Sequence, residues 1–317
     1  MRFFDADQVH TACAYPALVD ALARFHLDDT ELVDEQLLAQ PAAAGGEDIL
    51  FLRSAWQRGR ALGTKVITGF WNNPATNDHP AVHAIYCLFD GENGRPLAVL
   101  DGTALTLRKT AADSALGARY LARNDVERML MVGAGAMAPH LIMAHKAIRP
   151  SISHVAIWNR TREKAHAVID ALKTEPMMQG VTLTLADDLA DAVGQADLIS
   201  SATGSKTPII EGAWLRPGAH LDLVGAFKPD MREADDEAVR RSSIFVNARS
   251  STIEHIGDIA IPLATGLITE DRILADHVDL VRGHHPGRTG DDEITFFKNG
   301  GGGHLDLMTA RFVVEST

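Results

Sequence analysis

The stretch MLMVGAGAMAPH, residues 129–140, decides the fold class of this chain. An apolar run comes first, the pattern Gly-x-Gly-x-x-Ala follows it, and a helical pattern begins directly afterwards. In a strand–turn–helix unit, the first glycine allows a tight turn, the second lets the backbone approach a pyrophosphate, and the third position requires a small residue. The free N–H groups at the start of the helix favour phosphate. The stretch therefore predicts a dinucleotide-binding turn, with contacts from Gly133, Gly135, Ala136 and Met137.

The surroundings of this turn predict two different architectures. From about residue 108 to residue 290, apolar strand patterns alternate with helical ones, which is typical of a parallel sheet with helices on both faces. Before it, three strand patterns lie within residues 63–102, and the turn DGENG joins two of them, so an antiparallel sheet is indicated. After about residue 290 the chain becomes glycine-rich and is expected to return to this first part.

We therefore predict an α/β protein with a Rossmann-type, doubly wound parallel sheet inserted in an α+β domain. The predicted domains are a dinucleotide-binding Rossmann domain at 119–290 and an α+β domain at 1–118 plus 291–317.

The composition excludes several classes of partner. Thirty basic and 42 acidic residues give a formal net charge of −12, whereas nucleic acids and anionic membranes require concentrated Lys and Arg. Two cysteines are too few for a disulfide framework, and no metal site is predicted. The first residues lack a signal pattern, and no apolar run approaches the roughly 18 residues of a membrane span. We expect a cytoplasmic protein that acts on a small molecule.

The end of the next strand pattern, HVAIWNR, bears on the choice of cofactor. Asn159 stands about where a carboxylate would bind a ribose 2′-hydroxyl, and Arg160, Thr161 and Arg162 follow it. An arginine can pair with a 2′-phosphate, which a carboxylate would repel. Thr161 is also a candidate cap for the next helix, which leaves Arg160 available to the ligand. The segment predicts NADPH, with NADH as the alternative. Further cofactor contacts are predicted at Ala202, Thr203, Val224 and Gly225.

Four segments, taken together, resemble the ornithine cyclodeaminase/μ-crystallin family. They are LDGTALTLRKTAADSALGARYLA (100–122), VGAGAMAPH (132–140), IWNRT (157–161) and LVGAFKPDMREADDE (223–237). The resemblance spans nearly the whole chain in order. It implies a Rossmann domain inserted in a substrate-binding domain whose sheets pair between two subunits, so a homodimer is expected.

The resemblance also implies a reaction on a small amino acid, a cyclic imine or a 2-oxo acid. In cyclodeaminases the loop that matches VGAFKPDMRE carries an aspartate that acts on ornithine, and Phe227 stands at its position here. A phenyl ring cannot exchange protons. The segment 159–161 resembles the NADPH-using branch that reduces cyclic ketimines. The implied activity is that of a ketimine reductase, an oxidoreductase acting on CH–NH that converts Δ1-pyrroline-2-carboxylate or Δ1-piperideine-2-carboxylate to L-proline or L-pipecolate.

Three alternatives stay open at this point. Reductive amination of a 2-oxo acid, as in alanine dehydrogenases, would use the same cofactor with ammonia. Ornithine cyclodeamination is disfavoured by Phe227. A crystallin-like protein would bind NADPH without turnover. The ring size of the substrate and the direction of the reaction in the cell are not specified by the sequence.

The substrate of each enzymatic alternative carries a carboxylate, so fixed cations are expected beside it. Lys65, in GTKVIT, matches the family's substrate-binding lysine, and we expect it also to deliver a proton to the imine nitrogen or to polarise the double bond. Lys109 stands where the family has an arginine, with Arg108 beside it. A second family arginine is missing near QPAAAGG, and Arg53 is the nearest replacement.

The glycine-rich segment FFKNGGGGHLD, residues 296–306, resembles a family loop near the cofactor. A run of glycines lets the backbone come close to a ligand. We therefore predict substrate contacts from Gly303 and His304.

Overall fold

The computed structural model describes residues 1–32, 35–42, 45–76 and 78–317. The chain divides into two compact units. The first unit comprises Met1–Lys109 and Gly302–Thr317, and the second comprises Thr110–Gly301. Among the described residues, no helix combines the length and the apolar character that a membrane crossing requires.

Strands and helices occupy most of the described chain. The strands are β1 (Arg2–Phe4), β2 (Glu31–Leu32), β3 (Gln36–Pro41), β4 (Glu47–Gln57), β5 (Ala61–Gly69), β6 (Val82–Asp90), β7 (Pro96–Asp101), β8 (Arg128–Val132), β9 (His154–Trp158), β10 (Thr182–Leu185), β11 (Leu198–Ser201), β12 (His220–Leu223), β13 (Ser243–Val246), β14 (Ile273–Ala275) and β15 (Thr295–Lys298). The helices are α1 (Ala6–Ala12), α2 (Tyr15–Phe25), α3 (Asn73–Thr76), α4 (Gly102–Leu121), α5 (Met137–Ile148), α6 (Arg162–Lys173), α7 (Leu189–Gln195), α8 (Asp236–Arg241), α9 (Arg249–Thr252), α10 (Gly257–Ala264), α11 (His277–Arg282) and α12 (Gly303–Ser316).

The first unit is built on a mostly antiparallel sheet in the order β1-β7-β6-β5-β4-β2, with β3 also paired to β4. The predicted strand patterns correspond to β5, β6 and β7, which pair antiparallel as expected. Side chains alternate between the two faces of a strand. On β5, Ala61, Gly63 and Lys65 are buried, and helix α12 packs against β4, β5 and β6. This face therefore carries the buried side chains of the first unit.

The opposite face of the same sheet is apolar and partly exposed. Its side chains lie in cross-strand rows, and Ile85, on β6, remains 46% exposed. One row is Leu52, Val66 and Ile85, and a second row is Trp56, Leu62 and Phe89. Half-exposed apolar rows of this kind leave apolar surface that a further protein partner could bury.

The second unit is a parallel sheet in the order β10-β9-β8-β11-β12-β15-β13-β14. Each step from β8 to β11 passes through a helix, α5, α6 or α7. The strand order reverses between β8 and β11, which is the topological switch point of a doubly wound fold. The predicted fold class, a Rossmann-type parallel sheet combined with an α+β part, is confirmed.

The unit boundaries differ from the predicted domain boundaries at 118/119 and 290/291. The structure divides the chain after Lys109 and after Gly301. Position 118 lies inside the uninterrupted helix α4, where no local signal marks a boundary. Strand β15, which the prediction placed in the first domain, pairs with β12 and β13 in the parallel sheet. The glycine-rich pattern that suggested a return to the first domain begins only after this strand.

Candidate active site

The predicted dinucleotide turn forms between β8 and α5. Gly133 directly follows β8, has a φ of +102°, and donates its N–H to the carbonyl of Trp158 at 2.8 Å. A Cβ at Gly133 would lie 2.7 Å from the carbonyl oxygen of Ala202, so the position requires glycine. At Gly135, by contrast, a Cβ would meet no heavy atom within 4 Å. The second glycine therefore faces open space, as an approaching phosphate would require.

A cavity of about 370 Å³ lies beside this turn, at the carboxyl ends of β8, β9 and β11. Ligands of open α/β sheets bind at this edge. The predicted residues that line the cavity are Gly133, Gly135, Asn159, Arg160, Thr161, Ala202 and Thr203. The predicted residues Ala136, Met137, Arg162, Val224 and Gly225 are not among its lining residues. We refer to this space as the glycine-turn cavity.

Asn159 connects two of the loops at the glycine-turn cavity. Its Oδ1 accepts from the N–H of Ala134 at 3.1 Å, and its Nδ2 donates to the carbonyl of Thr161 at 2.8 Å. Thr161 occupies the N-cap position of α6, but its side chain makes no capping hydrogen bond. The segment that follows β9 is thus held by Asn159 rather than by a threonine cap.

The rim of the glycine-turn cavity carries positive charge. Arg160 and Lys164 both line the cavity and are exposed, and none of its lining residues is acidic. Arg162 instead pairs with Asp187 at 2.6 Å on the surface. Lys164 was not among the predicted residues; it lies in the first turn of α6, which begins at Arg162.

In the first unit, buried cations surround one carboxylate. Lys65 Nζ lies 3.2 Å from Asp306 Oδ1 and donates a second, short hydrogen bond to Thr106 Oγ1. Lys109 Nζ lies 3.9 Å from the same carboxylate oxygen. Arg53 is the direct register partner of Lys65, on β4. Like charges directly opposite in a sheet destabilise it unless they are compensated. We call Arg53, Lys65, Lys109 and Asp306 the cationic cluster.

Asp306 supplies the compensating charge. Its side chain is fully buried in the first turn of α12, where the N–H groups of the helix start also favour a negative charge. Burial by itself would raise the pKa of this carboxyl group, but the charges of Lys109, Lys65 and Arg53 bring the pKa below its usual value. Asp306 therefore stays ionised. It was not among the predicted site residues, and the helix-start pattern in GGGGHLD was the signal available for it.

The remaining predicted substrate residues fall into two groups. Arg53, within the cationic cluster, pairs with Glu35 at 2.5 Å, and a Cβ at Gly303 would lie 3.1 Å from the Arg53 Cγ, so Gly303 lies beside the cluster. Arg108 points elsewhere: it donates to His10 Nδ1 at 2.9 Å and stacks over the ring of Tyr15.

His304, the residue that follows Gly303 in α12, is buried. Its ring meets that of His26 edge-on, with the ring centroids 5.8 Å apart. The structure therefore places Lys65 and Lys109 near Asp306 and Gly303 beside Arg53, and it gives Arg108 contacts with α1 and α2.

Comparison with known proteins identifies the family. The family model described as "Ornithine cyclodeaminase/mu-crystallin family" matches residues 40–317. The chain belongs to the ornithine cyclodeaminase/μ-crystallin family. The resemblance noted in the sequence is thereby confirmed.

Three relatives illustrate the similarity. A Δ1-pyrroline-2-carboxylate reductase of Paracoccus denitrificans is 43% identical over 94% of this chain and 91% of its own length. A protein of the same name from Colwellia psychrerythraea is 31% identical over 99% of both chains. The structure of Thermococcus litoralis Δ1-pyrroline-2-carboxylate reductase in complex with NADH and L-proline superimposes with a TM-score of 0.88 and 26% identity, covering 100% of this chain and 97% of that one.

The position of the cyclodeaminase aspartate bears on which branch of the family this chain resembles. The family resemblance predicts Phe227 at this position; the residue is 66% exposed, with Lys228 Nζ 5.5 Å from its ring centroid. Neither side chain is a carboxylate, so this loop position offers no acid to the chemistry. Asp230 follows three residues later and pairs with Lys206 on the surface at 2.7 Å.

Proposed function

We propose that this protein is a nicotinamide-dependent oxidoreductase that reduces the C=N bond of Δ1-pyrroline-2-carboxylate to give L-proline, with NADPH as the electron donor. The observation that carries the proposal is the buried cationic cluster of the first unit. The names and the extent of similarity of the Paracoccus and Colwellia relatives support the same reaction.

The charges at the cationic cluster fit one substrate carboxylate. Arg53, Lys65 and Lys109 contribute three positive charges, and Glu35 and Asp306 contribute two negative ones. A cyclic imino acid brings a carboxylate that these three cations would attract. Charge-assisted hydrogen bonds of this kind are about twice as strong as neutral ones.

Lys65 is the residue that we assign to the imine nitrogen. A lysine ammonium has three N–H donors, and Lys65 uses two of them on Thr106 and Asp306. Among the described residues no partner is shown for the third, which can point to the substrate. Reduction adds a hydride to the imine carbon and requires a proton on the nitrogen, which the Lys65 ammonium can deliver, leaving a neutral amine. Asp306 holds the Lys65 side chain in place.

The residues of the second unit fit a dinucleotide. The open side of Gly135 and the start of α5 suit the pyrophosphate, while Gly133 permits the turn. When bound, the reduced nicotinamide supplies the hydride. The chain's own contribution here is to hold the ligand through the loops that follow β8, β9 and β11.

The rim charges favour NADPH over NADH. Arg160 and Lys164 lie beside the loop that follows β9, where the adenosine ribose of a Rossmann ligand is bound. A 2′-phosphate would pair with these cations, and none of the lining residues is an acid that would repel it. An arginine binds phosphate through two parallel N–H groups, which adds geometric selectivity to the charge.

The substrate ring is the less constrained part of the proposal. Δ1-Pyrroline-2-carboxylate and Δ1-piperideine-2-carboxylate carry the same imine and carboxylate and differ by one ring methylene. One methylene in an apolar pocket changes the free energy of binding by about 1–3 kcal/mol. We propose the five-membered ring as the main substrate because the curated relatives carry that name, and the six-membered ring as a secondary one that yields L-pipecolate.

We further propose a homodimer formed through the apolar face of the first unit's sheet. The rows that contain Ile85 and Trp56 leave apolar side chains partly exposed on a long antiparallel sheet. Exposed apolar area of this kind marks a protein interface. A second copy presenting the same face would bury these rows on both sides.

A spectrophotometric assay at 340 nm tests the activity. The purified protein is mixed with NADPH and, in turn, with Δ1-pyrroline-2-carboxylate, Δ1-piperideine-2-carboxylate, and pyruvate plus ammonia, and each mixture is repeated with NADH. We expect the fastest oxidation with the five-membered imine and NADPH, and L-proline as the product by chromatography.

Other outcomes of this assay would replace the proposal. An ammonia-dependent rate with pyruvate that exceeds the imine rate would identify an alanine dehydrogenase-like enzyme. In a separate incubation of the protein with ornithine, release of ammonia with proline as product would identify a cyclodeaminase despite Phe227. Tight NADPH binding without oxidation by any imine would identify a binding protein.

A further inference from the structure

Glu233 connects the loops that follow two neighbouring strands of the parallel sheet. Its Oε1 accepts from Ser201 Oγ at 2.7 Å, from Thr203 N at 2.8 Å and from Thr203 Oγ1 at 2.9 Å. Its Oε2 accepts from Gly225 N at 2.6 Å and from Ala226 N at 3.3 Å. Strand β11 ends at Ser201, and β12 ends two residues before Gly225. One side chain therefore joins the carboxyl ends of β11 and β12.

A buried lysine extends this connection to the next strand. Lys298, the last residue of β15, places Nζ 3.0 Å from Asp258 Oδ2 and 4.0 Å from Glu233 Oε2. Asp258 in turn accepts the N–H of Glu233 at 2.8 Å. All three side chains are fully buried. Burial raises the pKa of Glu233, Lys298 opposes that effect, and Asp258 adds to it.

The two loops also touch directly. A Cβ at Gly225 would lie 2.1 Å from both the backbone N and the backbone O of Thr203. The loops can approach this closely only because residue 225 is glycine. Their spacing is therefore fixed from one side by backbone contact and from the other by the carboxylate of Glu233.

We propose that Glu233 is a positioning residue that holds the loops of Thr203 and Gly225 in the arrangement required by the nicotinamide half of the cofactor. This inference rests on the proposed function. A Rossmann fold binds a dinucleotide as two mononucleotide halves on either side of the point where the strand order reverses. The glycine turn and the segment after β9 serve the adenosine half. The loops after β11 and β12 lie on the other side of that point: Thr203 also lines the glycine-turn cavity, whereas Gly225 does not, and together they are assigned to the nicotinamide half.

Glu233→Gln tests this division between the two halves. An amide presents one N–H₂ group in place of an acceptor oxygen, and on either side that group would face a backbone N–H, of Thr203 or of Gly225. The loop of Thr203 or the loop of Gly225 would then lose its backbone hydrogen bond to residue 233. We expect the Kd for NADPH, measured by calorimetry, to rise about tenfold or more. We expect the Kd for the fragment 2′-phospho-ADP-ribose, which lacks the nicotinamide, to stay within about twofold of the wild type.

Two further variants keep the test decisive. Ser201→Ala removes a single donor to Glu233 and introduces no new polar group, so the variant is expected to fold. Its Kd for NADPH is expected to rise about threefold, with the Kd for the fragment unchanged. Glu270→Gln, at an exposed glutamate, is the matched control and is expected to bind both ligands as the wild type does.

The outcomes separate this inference from the proposed function. Equal weakening of NADPH and of the fragment in Glu233→Gln would show a general structural role and overturn the inference, as would unchanged NADPH binding in both Glu233→Gln and Ser201→Ala. If Glu233→Gln does not fold, unchanged binding in Ser201→Ala alone overturns it. A wild-type protein that binds neither ligand would instead refute the proposed function, and this inference with it.

Discussion

Lys65 Nζ lies 3.2 Å from Asp306 Oδ1, although 241 residues separate the two along the chain. Their side chains are 5% and 0% exposed, so water does not screen the pair. A buried ion pair of this kind contributes little net stability, because both charges lose their hydration. Its effect is on position: it fixes a strand lysine and leaves the lysine one N–H donor for a ligand.

Replacing Lys65 by methionine is expected to abolish most of the imine reduction. The substitution keeps the apolar stem and removes both the charge and the proton, so kcat is expected to fall about 10²-fold or more. NADPH affinity should not change, because the cofactor residues lie in the second unit. Lys173→Met, at an exposed lysine, is the control. Steady-state kinetics that showed a raised KM with an unchanged kcat would limit Lys65 to binding the carboxylate.

Replacing Asp306 by asparagine is expected to destabilise the first unit. It removes the negative charge between two buried ammonium groups, and breaking a buried pair in this way costs about 3–5 kcal/mol. Chemical denaturation of the variant and the wild type measures the loss. The double variant Asp306→Asn with Lys109→Met removes one of the two stranded charges and is expected to recover part of it. No recovery would mean that the carboxylate acts through packing rather than charge.

The parts of the site that local sequence predicted are those formed by consecutive residues. The glycine turn, the strand before it and Asn159 after the next strand all follow from short patterns. Asp306 could not be predicted from a short pattern, because its partners come from a strand and a helix far away in sequence. The role of Arg108 stays a prediction: adjacent residues on a helix point about 100° apart, so Arg108 contacts His10 whereas Lys109 lies near Asp306.

The fold was predicted best where periodicity was clear. Strands β5, β6 and β7 lie where the patterns placed them. Strand β4 was not recognised, because ILFLRSAW is apolar at positions that point to both faces and so lacks a two-residue alternation. This long strand pairs with β2, β3 and β5, so missing it hid most of the sheet's extent.

The charges at the rim of the glycine-turn cavity predict the effect of two substitutions on cofactor choice. Arg160→Ala and Lys164→Ala are each expected to raise the KM for NADPH about tenfold or more and to leave the KM for NADH nearly unchanged. Arg162→Ala serves as the comparison, because the Arg162 side chain already pairs with Asp187. This substitution is expected to change the ratio of the KM for NADPH to the KM for NADH by less. Equal changes for both cofactors would place these cations away from the 2′-phosphate.

The apolar face of the first unit's sheet predicts the effect of a new charge. Ile85→Lys introduces an ammonium group into the row formed with Leu52 and Val66, and burying it in a dimer interface would be costly. Analytical ultracentrifugation is expected to show a dimer for the wild type and a monomer for the variant. Met177→Lys, at another exposed apolar residue, should remain dimeric. A dimeric Ile85→Lys protein would place the interface elsewhere.

His220 predicts acid sensitivity of the second unit. Burial lowers the pKa of its imidazole from 6.5 to about 3, with the nearby Asp222 acting in the opposite direction. The unfolded chain therefore takes up a proton near pH 6.5, whereas the folded chain does so only near pH 3. Stability from this residue is complete above pH 6.5 and decreases as the pH falls, by about 1.4 kcal/mol per pH unit.

Denaturation midpoints at pH 7.5, 6 and 5 measure this dependence. His220→Asn, which retains a polar group for the hydroxyl of Thr295, is expected to be less stable at pH 7.5 but to show a shallower decline towards pH 5. His154→Asn, at an exposed histidine, should keep the slope of the wild type. An unchanged slope in His220→Asn would assign the acid sensitivity to other groups.

Helix α12 has a consequence for the order in which the protein forms on the ribosome. The second unit is one continuous stretch, Thr110–Gly301, and all of it leaves the ribosome before α12 does. Domains fold as units during synthesis. The second unit can therefore assemble before Asp306 is synthesised. Lys65 is made much earlier and meets the carboxylate of Asp306 only when α12 arrives, so the ion pair of the first unit is completed last.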